Sequence, residues 1–166
     1  MSYERWQEVI NDYEKLLETG EGCDVIINCQ DEDVKAHSII LRTRSQYFRR
    51  ELSRENVEKR NGNFILKKPD VPPQYLTIIL RYIYCEKIDL TILQGRDILN
   101  LLKFVLVFDI QSLIPSIKDH LIKHQTEFLR QSPAEILENT YQHESLSELS
   151  KIGLENICDE SELLFK

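Results

Sequence analysis

Residues 23–48 run Cys23-Asp24-Val25-Ile26-Ile27-Asn28-Cys29, then the polar turn Gln30-Asp31-Glu32-Asp33, then Val34-Lys35-Ala36-His37-Ser38-Ile39-Ile40-Leu41, and, after Arg42-Thr43-Arg44, Ser45-Gln46-Tyr47-Phe48. Val25, Ile27 and Cys29 alternate with Ile26 and Asn28, and the β-branched content predicts a mostly buried strand. The four polar residues connect it to a returning strand over 34–36. Ser38 is placed to cap a short helix through Leu41, and Ser45 a second one through about Leu52. Nothing in this block forms a catalytic constellation, so it points to recognition and assembly.

Upstream, Trp6, Val9, Ile10, Tyr13, Leu16 and Leu17 fall on one stripe of a helix that Thr19-Gly20 ends. Such a stripe must be buried somewhere, either on its own domain or across a second copy of the chain, and periodicity does not distinguish the two. Downstream, Asn61-Gly62 signals a turn before a third strand over 64–66. Pro72 and Pro73 suit the first turn of a helix whose Leu76, Ile79, Leu80 and Ile83 face the core. A short edge strand is expected over 87–90, a deeply buried helix over 97–108, and another helix from about Ser112 with Leu113, Ile117 and Leu121 on one face. The sum is an α+β fold: a small β-sheet flanked by a cluster of α-helices. The C-terminal part reads differently. Ser132-Pro133-Ala134-Glu135 and Ser145-Leu146-Ser147-Glu148 are capping boxes, and Asp159-Glu160-Ser161-Glu162 resembles the start of one more helix. A longer helical region is therefore expected to follow.

The chain of 166 residues has room for one ordinary domain with a short appendage. Its formal net charge of −7 argues against a general nucleic-acid binder, and the basic run Arg42, Arg44, Arg49 and Arg50 reads as a solvated face of two short helices. No long apolar run or leader pattern occurs, so neither a membrane span nor a cleaved secretion signal is expected. Cys23, Cys29, Cys85 and Cys158 show no CxxC spacing, which suits reduced thiols in a cytoplasmic or nuclear protein.

The search for chemistry gives little. His120 and His124 are spaced as metal ligands on one helix, yet nothing nearby in sequence completes a site, so they read as surface residues. His37 and Asp24 read as hydrogen-bonded framework. GxSxG, GxGxxG and phosphate-loop motifs are absent. No enzyme activity, cofactor or metal is expected.

These residues closely resemble the BTB (POZ) family. Cys23-Asp24-Val25, Ala36-His37 with Leu41, and Ser45-Gln46-Tyr47-Phe48 are similar to its D-V, A-H-x-x-L and S-x-Y-F signature. Leu80-Arg81-Tyr82-Ile83-Tyr84, followed by Ile88 and Leu90, resembles its L-x-Y-I-Y segment. The resemblance covers residues 1–125, with an N-terminal dimerisation helix, while 126–166 look like the opening of the BACK helical region that often follows. It implies a homodimer in which Trp6, Val9, Ile10, Tyr13 and Leu17 form the interface. It also implies a substrate adaptor for a cullin ubiquitin ligase. The candidate cullin contacts are Tyr47, Phe48, Leu52, Asn56, Val57, Glu58 and Tyr84; Asp24, His37 and Ser45 are structural, and substrates would be chosen by protein outside this stretch. Cullin-binding members usually carry an apolar residue, any residue, then Glu in the loop after the Tyr47 helix. Here the triplet is Asn56-Val57-Glu58, so the anchor is polar unless Val57 takes its place. A pure oligomerisation scaffold is the alternative. A co-repressor platform ranks third, because the Arg that often follows the A-H pair in repressor members is Ser38. The channel-tetramerisation branch, which generally lacks a long N-terminal helix, ranks lower still.

Overall fold

The structure is a computed structural model that describes residues 3–165. It divides into two compact units, residues 1–88 with 107–109, and residues 89–106 with 110–166. Each has its own core.

The first unit is built on a four-stranded sheet of β1 (Val25–Cys29), β2 (Glu32–Ala36), β3 (Glu58–Arg60) and β4 (Asn63–Lys67), in the order β2-β1-β4-β3. β1 pairs antiparallel with β2 and parallel with β4, and β3 closes the sheet antiparallel to β4. Val25, Ile27 and Cys29 are fully buried, as their alternation requires. The β1–β2 turn is tighter than the sequence suggests. Gln30 adopts φ 50°, so Gln30-Asp31 suffices as the connection and Glu32 and Asp33 join the strand. Asn61 and Gly62, both at positive φ (51° and 81°), make a two-residue turn between β3 and β4. β3 was not visible in the sequence because Glu58-Lys59-Arg60 is charged throughout and lies on the edge of the sheet.

Helices α1 (Tyr3–Thr19), α2 (Ser38–Arg44), α3 (Gln46–Leu52) and α4 (Pro73–Cys85) complete the unit. Ser38 is not the cap of α2 but its first residue. Asp24, just before β1, supplies the cap instead: its Oδ1 accepts the Ser38 N–H at 2.7 Å and its Oδ2 accepts the Ser38 hydroxyl at 2.5 Å. α2 then runs on to Arg44, past the expected end at Leu41. Ser45 does cap α3, its Oγ accepting the Phe48 N–H at 3.3 Å. In α4, Leu76, Ile79, Leu80 and Ile83 are all buried. The helix stops at Glu86, in the left-handed region at φ 54°. The expected strand over 87–90 does not form; Lys87 is drawn instead to Glu14, its Nζ 2.5 Å from the carboxylate.

The second unit contains nearly all of α5 (Gly95–Val107), then α6 (Ile114–His124), α7 (Thr126–Gln131), α8 (Pro133–Thr140), a 3-10 turn (Glu144–Leu146) and α9 (Ser147–Leu164). Leu99, Leu102, Ile117, Leu121, Ile136 and Leu149 are among its buried side chains. Gly95 lies so close to Phe128 that a Cβ there would meet the ring at 2.3 Å, which ties α5 to α7. Neither capping box forms. Ser132 makes no side-chain cap bond, and Glu135 is held by Arg96 through paired bonds of 3.2 and 3.3 Å. Ser145 falls inside the 3-10 turn, and Glu148 pairs with Lys118 at 3.3 Å. The acidic run 159–162 starts no new helix and lies within α9.

Replacing Asp24 by Ala removes the cap of α2 and strands the Ser38 N–H. A loss of about 1–2 kcal/mol is expected, read as a lowered urea midpoint with an unchanged slope.

Candidate functional site

The residues singled out from the sequence separate into a buried frame and two outward faces, all within the first unit. The frame contains Asp24, His37, Ser45 and Tyr84. His37 Nε2 lies 2.6 Å from the Glu21 carbonyl, which can only accept, so Nε2 carries the proton. Nδ1 therefore accepts from the Tyr84 hydroxyl at 2.7 Å, while the Tyr84 oxygen accepts the His37 backbone N–H at 2.8 Å. Burial pushes the Tyr84 hydroxyl well above its usual range, so it stays protonated and able to donate. Ser45 Oγ also donates to the Phe108 carbonyl at 3.1 Å. These groups are occupied with one another, as a frame requires.

The α3 face begins with an aromatic cluster. Phe48 is fully buried and stacks on Phe108, centroids 5.3 Å apart, and Tyr47 meets both edge-on. The Lys68 ammonium sits 4.7 Å over the half-buried Tyr47 ring, and burial lowers its pKa. Leu52 is buried and offers its carbonyl to Arg42 at 2.9 Å. In the loop beyond, Asn56 is exposed and Val57 half-buried. Glu58 pairs with Arg60 and Lys67, both at 2.8 Å. Hydrogen bonds from Lys67 and then Arg60 hold its carboxyl below the usual range. A shallow groove of about 210 Å³ runs between Glu51, Arg54, Asn56, Val57, Ile65 and Lys68. Tyr47, Asn56, Val57 and Glu58 are thus within a partner's reach, whereas Phe48, Leu52 and Tyr84 act from below. Arg54, Lys67 and Lys68 escaped the sequence reading, because only the β3–β4 hairpin brings them beside α3.

The α1 face is apolar. Trp6 is 71% exposed, Val9 44% and Tyr13 42%, with Ile10 and Leu17 half-buried. Ile39 of α2, 75% exposed, continues the patch. Trp6, Val9, Ile10, Tyr13, Ile39 and Ile83 line a groove of about 500 Å³, while Leu17 lies outside it. Beside this stripe, Glu14, which is 17% exposed, anchors α1 by pairing with Arg81 of α4 and with Lys87 just beyond it. Ile39 gave no signal because it sits inside an apolar run that reads as core.

Among the described residues, no three His, Cys, Asp or Glu side chains are grouped to hold a metal, and no helix is long and apolar enough to cross a membrane. A compact frame whose polar groups satisfy one another, with uncovered faces outside, defines a protein-interaction module. The family model of the BTB/POZ domain matches residues 13–125, and the chain belongs to that family. It is 35% identical over 75 residues to human BTB/POZ domain-containing protein 7, covering 40% of this chain and 7% of that protein. It is 31% identical over 83 residues to Kelch-like protein 40a of Danio rerio, covering 50% and 13%. With Protein maternal effect lethal 26 of Caenorhabditis elegans the identity is 23% over 121 residues, covering 73% and 29%. The chain therefore spans less than a third of the length of these relatives. Among solved structures, the BTB domain of zebrafish PATZ1 superposes with a TM-score of 0.60 at 19% identity, covering 74% of this chain and 96% of that one, and so shares its fold.

The Glu14 pairs make the docking of α1 pH-dependent. Hydrogen bonding from Lys87, followed by that from Arg81, keeps the carboxyl below its ordinary 4.5. The stabilisation is complete above that value and is lost as the pH falls through the lower folded pKa. Glu14→Gln is expected to flatten the acid limb of a plot of unfolding midpoint against pH; an unchanged limb would remove Glu14 from this role.

Proposed function

We propose that the chain is a self-associating BTB module that serves as a substrate adaptor for a cullin ubiquitin ligase. The observation that carries the self-association is the apolar stripe Trp6, Val9 and Tyr13, left facing solvent although the helix is anchored through Glu14. A second copy laid across the stripe and Ile39 would bury the apolar area still exposed there, at about 25 cal/mol per Å², against which the cost of association must be set. Ile10 and Leu17 flank the contact.

The ligase reading rests on family membership and on the α3 face, where Val57 and Glu58 line a shallow groove whose Lys68 lies over the Tyr47 ring. Asn56 stands exposed where an apolar anchor is usual, and the half-buried Val57 is its replacement in this reading. Residues 1–125 are assigned to the BTB region and 126–166 to the opening of a BACK-like region. Substrate choice is assigned to protein outside these residues, in the cytoplasm or nucleus. A scaffold that pairs without engaging a ligase is the alternative.

Sedimentation equilibrium should show a dimer at micromolar concentration, converted to monomer by Trp6→Ala with Tyr13→Asp; a monomeric parent chain would refute self-association. Titration calorimetry against cullin N-terminal domains should give saturable heat that Val57→Asp reduces at least tenfold. Absence of heat at tens of micromolar would leave the scaffold reading.

A further inference from the structure

Between Arg42 and Lys68 the chain holds nine Lys or Arg and three Asp or Glu, although its formal net charge is −7. The fold brings several of these cations together around α3 and the β3–β4 hairpin, while Arg44 lies apart, lining the groove beside α1. Arg44 is taken by Glu86, Arg54 by Glu51, and Arg60 and Lys67 share Glu58. Among the described residues, Arg42, Arg49, Arg50, Lys59 and Lys68 remain without a carboxylate in ion-pair reach. Arg42, Arg49 and Lys59 are nevertheless held together. The Arg42 guanidinium and the Lys59 ammonium converge on one ring, 5.2 and 4.8 Å from the centroid of Phe64. Arg49 Nε donates to the Arg42 carbonyl at 3.0 Å, and Lys68 lies over Tyr47. Like charges kept close and unneutralised weaken the folded state, and an incoming opposite charge recovers that loss.

We propose that this cationic face docks an acidic protein segment, with Arg49, Arg50 and Lys59 meeting its carboxylates. The inference rests on the α3 face being the partner-docking face, and adds the chemistry of what it accepts. A protein segment fits better than nucleic acid. Glu51, Glu55 and Glu58 are interspersed among the cations and would repel a continuous phosphate backbone, and the acidic remainder of the chain opposes a polyanion at longer range. A peptide brings backbone N–H groups to those same carboxylates. This face is also separate in character from the apolar α1 face, so one copy can pair and dock at once.

The test is fluorescence anisotropy of the full chain with a labelled twelve-residue peptide of alternating Glu and Ser, and in parallel with a labelled 20-base-pair DNA duplex. The expected result is saturable peptide binding that weakens at least tenfold between 50 and 300 mM NaCl, and at least tenfold in Arg49→Glu/Arg50→Glu. Arg50→Glu/Lys59→Glu serves as the second variant, and circular dichroism melting shows whether each remains folded. No peptide binding at 1 mM, binding that both folded variants retain, or tighter binding of the duplex would each overturn the inference. A cullin N-terminal domain titrated against the same variants separates this inference from the adaptor reading. Cullin binding that survives charge reversal contradicts the charge inference and leaves the adaptor intact. Loss of peptide binding on reversal, in a chain that binds no cullin, supports the inference while the adaptor reading fails.

Discussion

One carboxylate holds the first unit in register. Asp24 stands immediately before the central strand β1, and both its oxygens are used on Ser38, the first residue of α2. The backbone on either side is tied as well: the Asp24 N–H reaches the Ala36 carbonyl at 3.2 Å and the Phe64 N–H reaches the Asp24 carbonyl at 2.8 Å. Three segments distant in sequence thus meet at one residue. From there the order passes through His37, whose two ring nitrogens are fixed by Glu21 and Tyr84, to the end of α4. Polar groups enclosed in this way are costly when unpaired, so the network specifies one arrangement and tolerates few others.

The frame has a consequence for function. Because its own polar groups are consumed internally, whatever the domain does must be done by side chains it pushes outward. These fall into two faces of opposite character. α1 exposes Trp6, Val9 and Tyr13 while Glu14 pins the helix to Arg81 and Lys87. α3 and the β3–β4 hairpin expose cations around Tyr47 and a small polar groove. An apolar face suits a partner that stays; a charged, half-wet face suits one that is exchanged and is governed by salt.

Much of this was legible in the sequence, and the residues that were not have identifiable reasons. Strong local periodicity gave α1, β1, α4 and the buried helices, and Ser45 capped the helix it was expected to cap. Ser38 was expected to cap α2 and is instead its first residue, bonded by Asp24, since a bond spanning fourteen positions leaves no local pattern. β3 is an edge strand of three charged residues, and no propensity rule marks such a segment. The two C-terminal capping boxes had the right letters, but Glu135 and Glu148 are recruited by Arg96 and Lys118, and long-range ion pairs outcompeted the local motif. On the candidate faces, the apolar stripe of α1 was plain. The convergence of Arg42 and Lys59 on Phe64 was not, since it depends on the crossover that sets β4 beside β1.

The central claim is that function lies on the outward α3 face and that the enclosed network only holds it in place. Hydrogen–deuterium exchange of the chain, alone and with a saturating cullin N-terminal domain, tests this most directly. The account predicts new protection confined to residues 46–68, with residues 24–41 already slow to exchange and unchanged by the partner. Protection centred on 24–41 with none at 46–68, or no protection at all under saturating conditions, would contradict it.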